Sequence, residues 1–290
     1  MSTLKEVAVV SGKGGTGKTT VSLSLAALMT EGVIVDADVD APNMHILLQP
    51  AREETHLFKG GFVAKIEEEL CTGCRRCQEL CRFEAVVHRE ETNTCRVDPV
   101  ACDGCGLCEI ACPNGAVKMV EKEVGWWYRS NTRHGPFFHA LLYPGEDNSG
   151  KLVTQIRTAA QEFAKKKGLK RILIDGPPGI GCPVISSLTG VEKALIVVEP
   201  TPSGLHDAER IFELTTTFQL KPYLLVNRFD VNEGLSEEIE EWCRKRGIEP
   251  VGRIPLDPNI PRLIREGRLP LESGGEIRTV FEEIYRKLFE

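Results

Sequence analysis

At 290 residues, 41% of them hydrophobic and 27% charged, the chain is long enough for one large buried core and a small second one. Its 36 basic and 42 acidic side chains leave a net charge of −6, which argues against nucleic acid as the main partner. No run reaches membrane-spanning length and Met1 to Val10 lacks the pattern of an export signal, so the eleven cysteines argue against a disulfide framework and read as thiols that a reducing cytoplasm keeps free to bind metals.

Lys5 to Val10 predicts a first strand, and an apolar-periodic helix is expected from Thr19 to about Glu31. Between them runs Gly12-Lys13-Gly14-Gly15-Thr16-Gly17-Lys18-Thr19, with Thr20 next. A glycine-rich loop in this setting lets backbone amides approach phosphate oxygens at the positive end of a helix. Lys18 is then placed to reach the β and γ phosphates of a nucleotide, and Thr19 to give its hydroxyl to magnesium. A plain phosphate loop does not need a second lysine as early as Lys13. Val33 to Val35 predicts a second strand, ending in Asp36-Ala37-Asp38-Val39-Asp40.

From about Gly61 to Val120 the chain repeats itself with an offset of 31 residues. Cys71, Cys74, Cys77 and Cys81 recur as Cys102, Cys105, Cys108 and Cys112, with Pro113 after the last. Spacings of two, two and three wrap a corner of a cubane, with the fourth cysteine of each set reaching across to the other cluster. Cys71, Cys74, Cys77 and Cys112 are expected to hold one 4Fe-4S cluster, and Cys81, Cys102, Cys105 and Cys108 the second. Zinc is the rival, although zinc motifs pair cysteines two by two across a longer gap. Two copies of strand, cysteine loop, helical turn and strand about a pseudo-twofold axis make a small α+β ferredoxin domain over 61–121, inserted between a nucleotide-binding part at 1–60 and another at 122–290. Arg82 replaces the proline expected after Cys81, and a cation beside a ligand favours the reduced cluster. Cys95 and Cys243 read as buried small hydrophobes, Cys95 alternatively as a free thiol.

After the insert, Trp126-Trp127-Tyr128 reads either as a docking patch or as strand residues facing opposite ways, and Gly145 to Lys151 as a loop and helix start. Strands are expected at Arg171–Ile174, Ala194–Val198, Pro222–Val226 and Pro250–Ile254, with helices at about 151–167, 204–218 and 235–246. Apolar strands alternating with helices predict an α/β, doubly wound, mainly parallel sheet. Asp175 ends one such strand ahead of Gly176-Pro177-Pro178-Gly179. Cys182 reads as a packing or redox-silent thiol, and Ser203 as a helix cap. The last helix, Ile277 to Phe289, carries one apolar face and mixed charges, which predicts docking on the sheet rather than on a membrane.

The run from Gly12 to Thr19 resembles the deviant phosphate loop of the MinD/ParA family of ATPases, which includes the nitrogenase iron protein and the Mrp-type iron-sulfur carriers. The resemblance covers about 1–60 and 125–290. It implies ATP and Mg2+ as ligands, the loop from Gly12 to Thr20 as phosphate site, and a homodimer in which Lys13 crosses to the partner's nucleotide. The alternative is a Lys13 that contacts only its own phosphates. By position, Lys13, Lys18 and Asp38 would be catalytic, with Asp38 orienting the attacking water. Thr19, Asp36 and Asp175 would support magnesium, Asn227 would read adenine, and Pro255 to Pro258 would close over the base.

The expected function is a cytoplasmic ATP-hydrolysing iron-sulfur protein whose dimer switch gates electron transfer to a redox partner. Its rivals are a cluster carrier serving an apo-protein, and a MinD-like positioning ATPase with structural clusters.

Overall fold

Near-continuous runs of Val, Ile and Leu have no polar face to show to water, so strands built from them lie at the centre of the sheet with helices on both sides. The computed structural model describes residues 4–146 and 149–290, so Asp147 and Asn148 of the loop after Gly145 lie outside the described residues. In chain order the elements begin with β1 (Lys5–Ser11), α1 (Lys18–Leu28), β2 (Gly32–Asp36), α2 (Met44–Leu48) and β3 (Ala51–Ile66). The cysteine region contributes α3 (Arg76–Leu80), β4 (Val86–Arg89), β5 (Thr94–Val97) and α4 (Leu107–Ala111). There follow β6 (Val117–Thr132), β7 (Gly135–Leu142), α5 (Ser149–Lys167), β8 (Arg171–Pro178), α6 (Cys182–Leu188) and β9 (Lys193–Val198). The chain closes with α7 (Pro202–Thr217), β10 (Lys221–Asn227), α8 (Glu233–Lys245), β11 (Glu249–Ile254), α9 (Asn259–Arg265) and α10 (Gly275–Phe289).

The main sheet has the order β11-β10-β9-β1-β8-β2-β7-β6-β3. From β11 to β7 every neighbouring pair is parallel. Register sets the site, because Asp36 at the end of β2 pairs with Asp175 on β8, while Val9 of β1 pairs with Asp175 from the other side. The carboxyl ends of three adjacent strands therefore open together, where ligands bind in open parallel sheets.

The described chain divides into two compact units, one of Leu57–Gly125 with 142–146 and one of the remainder. Within the smaller unit the repeat is geometric as well as sequential. The Glu67 amide donates to the Ala116 carbonyl at 2.8 Å, and 31 residues on from Glu67 the Asp98 amide donates to the Ala85 carbonyl at 2.7 Å. Gly73 and Gly104, both with positive φ, each leave no room for a Cβ: the added atom would lie 2.4 Å from the Asn93 carbonyl oxygen and 2.4 Å from that of Phe62. Those two oxygens are again 31 residues apart, so each cysteine loop sits against the strand that precedes the other.

Three local expectations are corrected. Helix α1 stops at Leu28 rather than Glu31, because Met29 is already extended and Glu31 adopts φ 51°. Thr201, not Ser203, caps α7, its side chain accepting from the Gly204 amide at 3.0 Å. Cys182 does not pack; it is exposed at the first position of α6. Among the aromatic triplet, which lies inside β6, Trp127 is buried and stacks on His56 with ring centroids 3.9 Å apart.

Helix α10 buries Ile277, Phe281, Ile284, Tyr285 and Leu288 in the core shared with β1, β9 and β11. Cys243 is fully buried on α8. Truncating Phe281 to alanine removes a side chain with 0% exposure and is expected to cost about 3–5 kcal/mol. Urea denaturation of Phe281→Ala checks this, and a loss below about 1 kcal/mol would mean that the helix adds little to the core.

Candidate functional site

In the second half of β8, Asp175 is completely buried, where a carboxylate survives only with partners. It has three: the Lys18 ammonium at 3.3 Å, the Thr19 hydroxyl at 2.8 Å and the Ser22 hydroxyl at 2.7 Å. The sequence reading missed Ser22. A serine one helical turn beyond Thr19, on the buried face of α1, is the signal that could have found it.

Asp36, also fully buried, accepts from the backbone amides of Asp38, Asn43 and Met44 at 3.2, 3.3 and 3.2 Å. It thereby ties the loop after β2 to the start of α2. Burial, and next the charge of Asp175, push its carboxyl up to about 8, which favours the protonated form of Asp36. Burial also raises Asp38.

A cleft of about 630 Å³, counting its open mouth, is lined by the phosphate loop from Lys13 to Thr20 together with Asp38, Asn43, Pro178 and Arg228. The structure thus gathers the loop, Asp38 and the two buried aspartates at one strand edge. Lys13 reaches across to the loop between β9 and α7, with its ammonium 3.3 Å from the Thr201 hydroxyl, 3.2 Å from that of Ser203 and 3.9 Å from the Glu199 carboxylate. Glu199 also accepts from Arg228, a pair the sequence did not reveal. Asn227 at the end of β10 spends its amide NH2 on the Thr16 carbonyl at 2.7 Å, so it holds the phosphate loop from behind. Pro255 to Pro258 lies between β11 and α9, pinned where the Leu256 amide donates to Asp230 at 2.7 Å.

In the smaller unit the thiols ring two chambers. Cys71, Cys74, Cys77 and Cys112 line one of about 330 Å³, with Cys95 as a fifth sulfur. Cys81, Cys102, Cys105 and Cys108 line the other, of about 380 Å³, which Cys77 also borders. Both volumes count the open mouth, and the walls are otherwise mainly apolar, with Ile66, Ala116 and Val117 at the first and Phe83, Val86 and Met119 at the second. Two backbone amides point at sulfur, from Cys95 to Cys71 Sγ at 3.5 Å and from Ala116 to Cys112 Sγ at 3.3 Å. Among the described residues no three His, Cys, Asp or Glu side chains converge as a single metal ion requires. Each chamber is bordered by the four thiols expected there, the number that a cubane takes, one at each corner.

A phosphate loop, buried aspartates at the carboxyl edge of a parallel sheet and helices on both faces define a P-loop nucleoside triphosphatase. Residues 7–271 match the CobQ/CobB/MinD/ParA nucleotide binding domain, and the chain belongs to that family of ATPases. It is 30% identical to "Uncharacterized protein MJ0578" of Methanocaldococcus jannaschii, across 99% of this chain and 97% of that one. The "Iron-sulfur cluster carrier protein" of Pyrococcus abyssi is 25% identical, across 87% of this chain and 74% of its own. Among solved structures, the MinD protein of Pyrococcus horikoshii complexed with Mg-ADP superposes with a TM-score of 0.58 at 16% identity, covering 98% and 96% of the two chains. Among the described residues no helix is long and apolar enough to cross a membrane.

The protonated Asp36 predicts a pH dependence. Unfolded, an aspartate titrates near about 3.9, whereas here it titrates at about 8. The stability this proton confers is complete below about pH 4 and is lost as the pH rises towards about 8. Urea denaturation of the nucleotide-free protein at several pH values should show that decline, and Asp36→Asn should flatten it. An unchanged slope in the variant would place the proton elsewhere.

Proposed function

We propose that this chain is an ATP-hydrolysing iron-sulfur protein in which a nucleotide-driven homodimer switch gates electron transfer to a partner. The observation that carries the iron-sulfur half is the pair of thiol chambers, each drawing its fourth cysteine from the other copy of the repeat. In this reading the first chamber holds its cluster on Cys71, Cys74, Cys77 and Cys112, and the second on Cys81, Cys102, Cys105 and Cys108. When bound, two 4Fe-4S clusters supply one-electron storage in the same chain as the nucleotide switch.

The protein's own residues would act as follows. The amides from Gly12 to Thr20 cradle the phosphates, and Lys18 leaves Asp175 to meet their charge. Thr19, with Asp36 and Asp175 behind it, would hold magnesium through its hydroxyl, and the ion would supply positive charge beside the phosphates. Asp38, at the cleft wall, orients the attacking water. Lys13, held in the single chain by Thr201, Ser203 and Glu199, is the group that would exchange those contacts for a partner's phosphates. Asn227, anchored on Thr16, would support the base side of the site. Dimer closure across this edge would then make the two nucleotide states differ in their affinity for the partner, which is what coupling requires.

Interleaved ligation favours a resident cluster over a cargo, because releasing either cluster means opening both cysteine loops. The carrier reading has the Pyrococcus abyssi relative in its favour. It predicts loss of iron and sulfide to an apo-protein, whereas the redox reading predicts that the iron is retained. The redox reading has in its favour a 96-residue stretch, 33% of this chain and 14% of the other, that is 35% identical to the "Indolepyruvate oxidoreductase subunit IorA" of Pyrococcus horikoshii.

Removing the lysine separates the two halves of the proposal. Lys18→Ala should lower ATP turnover by about 100-fold or more and leave about eight irons per chain after anaerobic preparation. A variant that still hydrolyses ATP would remove Lys18 from the site. Zinc, or no metal, in the native protein would remove the clusters.

A further inference from the structure

Positions 31 residues apart in the smaller unit answer to one another, so where such a pair differs in kind the difference is not something the repeat requires. Three wall positions of the first chamber, Thr72, Arg76 and Asn114, correspond to Asp103, Leu107 and Phe83 of the second. The first rim is polar and satisfied within the chain: the Asn114 amide donates to the Thr72 hydroxyl at 2.9 Å, and Arg75 pairs with Glu90 at 2.7 Å. The second rim is apolar and open to solvent. Leu80 and Leu107, which line the chamber, are 41% and 45% exposed, and Ile110, a helical turn beyond Leu107 on α4, is 83% exposed.

Charge follows the same division. The stretches 79–84 and 103–110, around the second chamber, carry Glu79, Glu84, Asp103 and Glu109 against Arg82, whose guanidinium lies over the Phe83 ring. Among the described residues none of those four acids has an ion-pair partner, although Glu109 accepts from the Met119 amide at 2.9 Å. The matching stretches around the first chamber, 72–79 and 110–115, carry Arg75 and Arg76 against Glu79. A cleft of about 580 Å³, counting its open mouth, shares Phe83, Cys102 and Asp103 with the second chamber and extends the apolar patch to Phe62 and Val100. Exposed apolar side chains inside an acidic rim have the anatomy of a recognition surface. A second copy of the chain does not suit it, because a twofold contact through this face would set the same acids against each other.

We propose that this face is the docking surface for a one-electron carrier protein with a basic rim around its own apolar patch, and that the unit exchanges electrons with that partner through the second cluster. A partner seated there excludes water from Leu80 and Leu107, which border the chamber and reach the surface. Each transfer moves one electron between cluster and carrier, with no bond made or broken. This inference rests on the two-cluster reading above and goes beyond it by naming the chamber that faces the partner and the chemistry of the partner's surface.

The probe for the test is a basic c-type cytochrome. The anaerobically prepared full chain, reduced with dithionite and freed of the excess, is mixed with it in a stopped-flow instrument, with MgATP present and absent. In at least one of those states, haem reduction by wild type should be second order and should slow as salt rises. Ile110→Gln should lower that rate about fivefold and Ile110→Lys further, with full iron and unmoved cluster midpoints. Glu79→Gln combined with Glu84→Gln should flatten the salt dependence. Val87→Gln, at an exposed position on β4 of the same unit, should change nothing. Rates within about twofold of wild type in both Ile110 variants, an equal fall in Val87→Gln, or no haem reduction by protein with full iron would overturn the proposal. So would a nucleotide-free dimer that Ile110→Lys dissociates, since the occupant would then be a second copy. Wild-type protein without iron would instead sink the cluster reading on which the proposal stands.

Discussion

Two carboxyl groups, those of Asp36 and Asp175, lie side by side on adjacent strands with no exposure to water, and one ammonium, that of Lys18, reaches Asp175. Two buried like charges are unfavourable beside a single cation, and burial together with the charge of Asp175 pushes the Asp36 carboxyl up, towards its protonated form. Every other part of the nucleotide site follows from how this deficit is met. The hydroxyls of Thr19 and Ser22 turn inward to Asp175, and the loop after β2 folds back so that three amides reach Asp36. A nucleotide that draws Lys18 away must bring a cation in exchange, which is a physical reason for magnesium at this edge. The same exchange loosens what holds the loop bearing Asp38.

The smaller unit meets a different constraint. A repeat with strands as short as β4 and β5 cannot bury much apolar surface, and two of its interior spaces are lined by sulfur. In the proposed reading, bound clusters complete a core that the chain leaves open, which ties folding of the unit to its cofactors. In that reading, cross-ligation by Cys81 and Cys112 would make the two halves one cooperative body. That arrangement is better suited to storing charge than to giving a cluster away.

Much of the fold was legible because its signals are local. Apolar runs such as Val7 to Val10 and Ala194 to Val198 can only be central strands, and the phosphate loop carries its own context. The offset of 31 residues was visible in the cysteines and reappears in the backbone hydrogen bonds at Glu67 and Asp98. What escaped depends on register and on distant partners. Strand β3 is charged and largely exposed, so its length was hidden by an absence of hydrophobic pattern. Ser22, Arg228 and the cap at Thr201 act through residues far away in sequence or through a backbone turn. Cys95 looked like filler because only the folded unit shows that it borders a chamber.

The central claim is that the nucleotide site and the thiol-lined unit are coupled. Electron paramagnetic resonance of the reduced, anaerobically prepared protein, recorded with and without MgATP, tests it most directly. The account predicts two interacting reduced 4Fe-4S signals whose line shape or midpoints change when nucleotide binds. Spectra and midpoints that stay identical in a protein with full iron and full ATP turnover would contradict it.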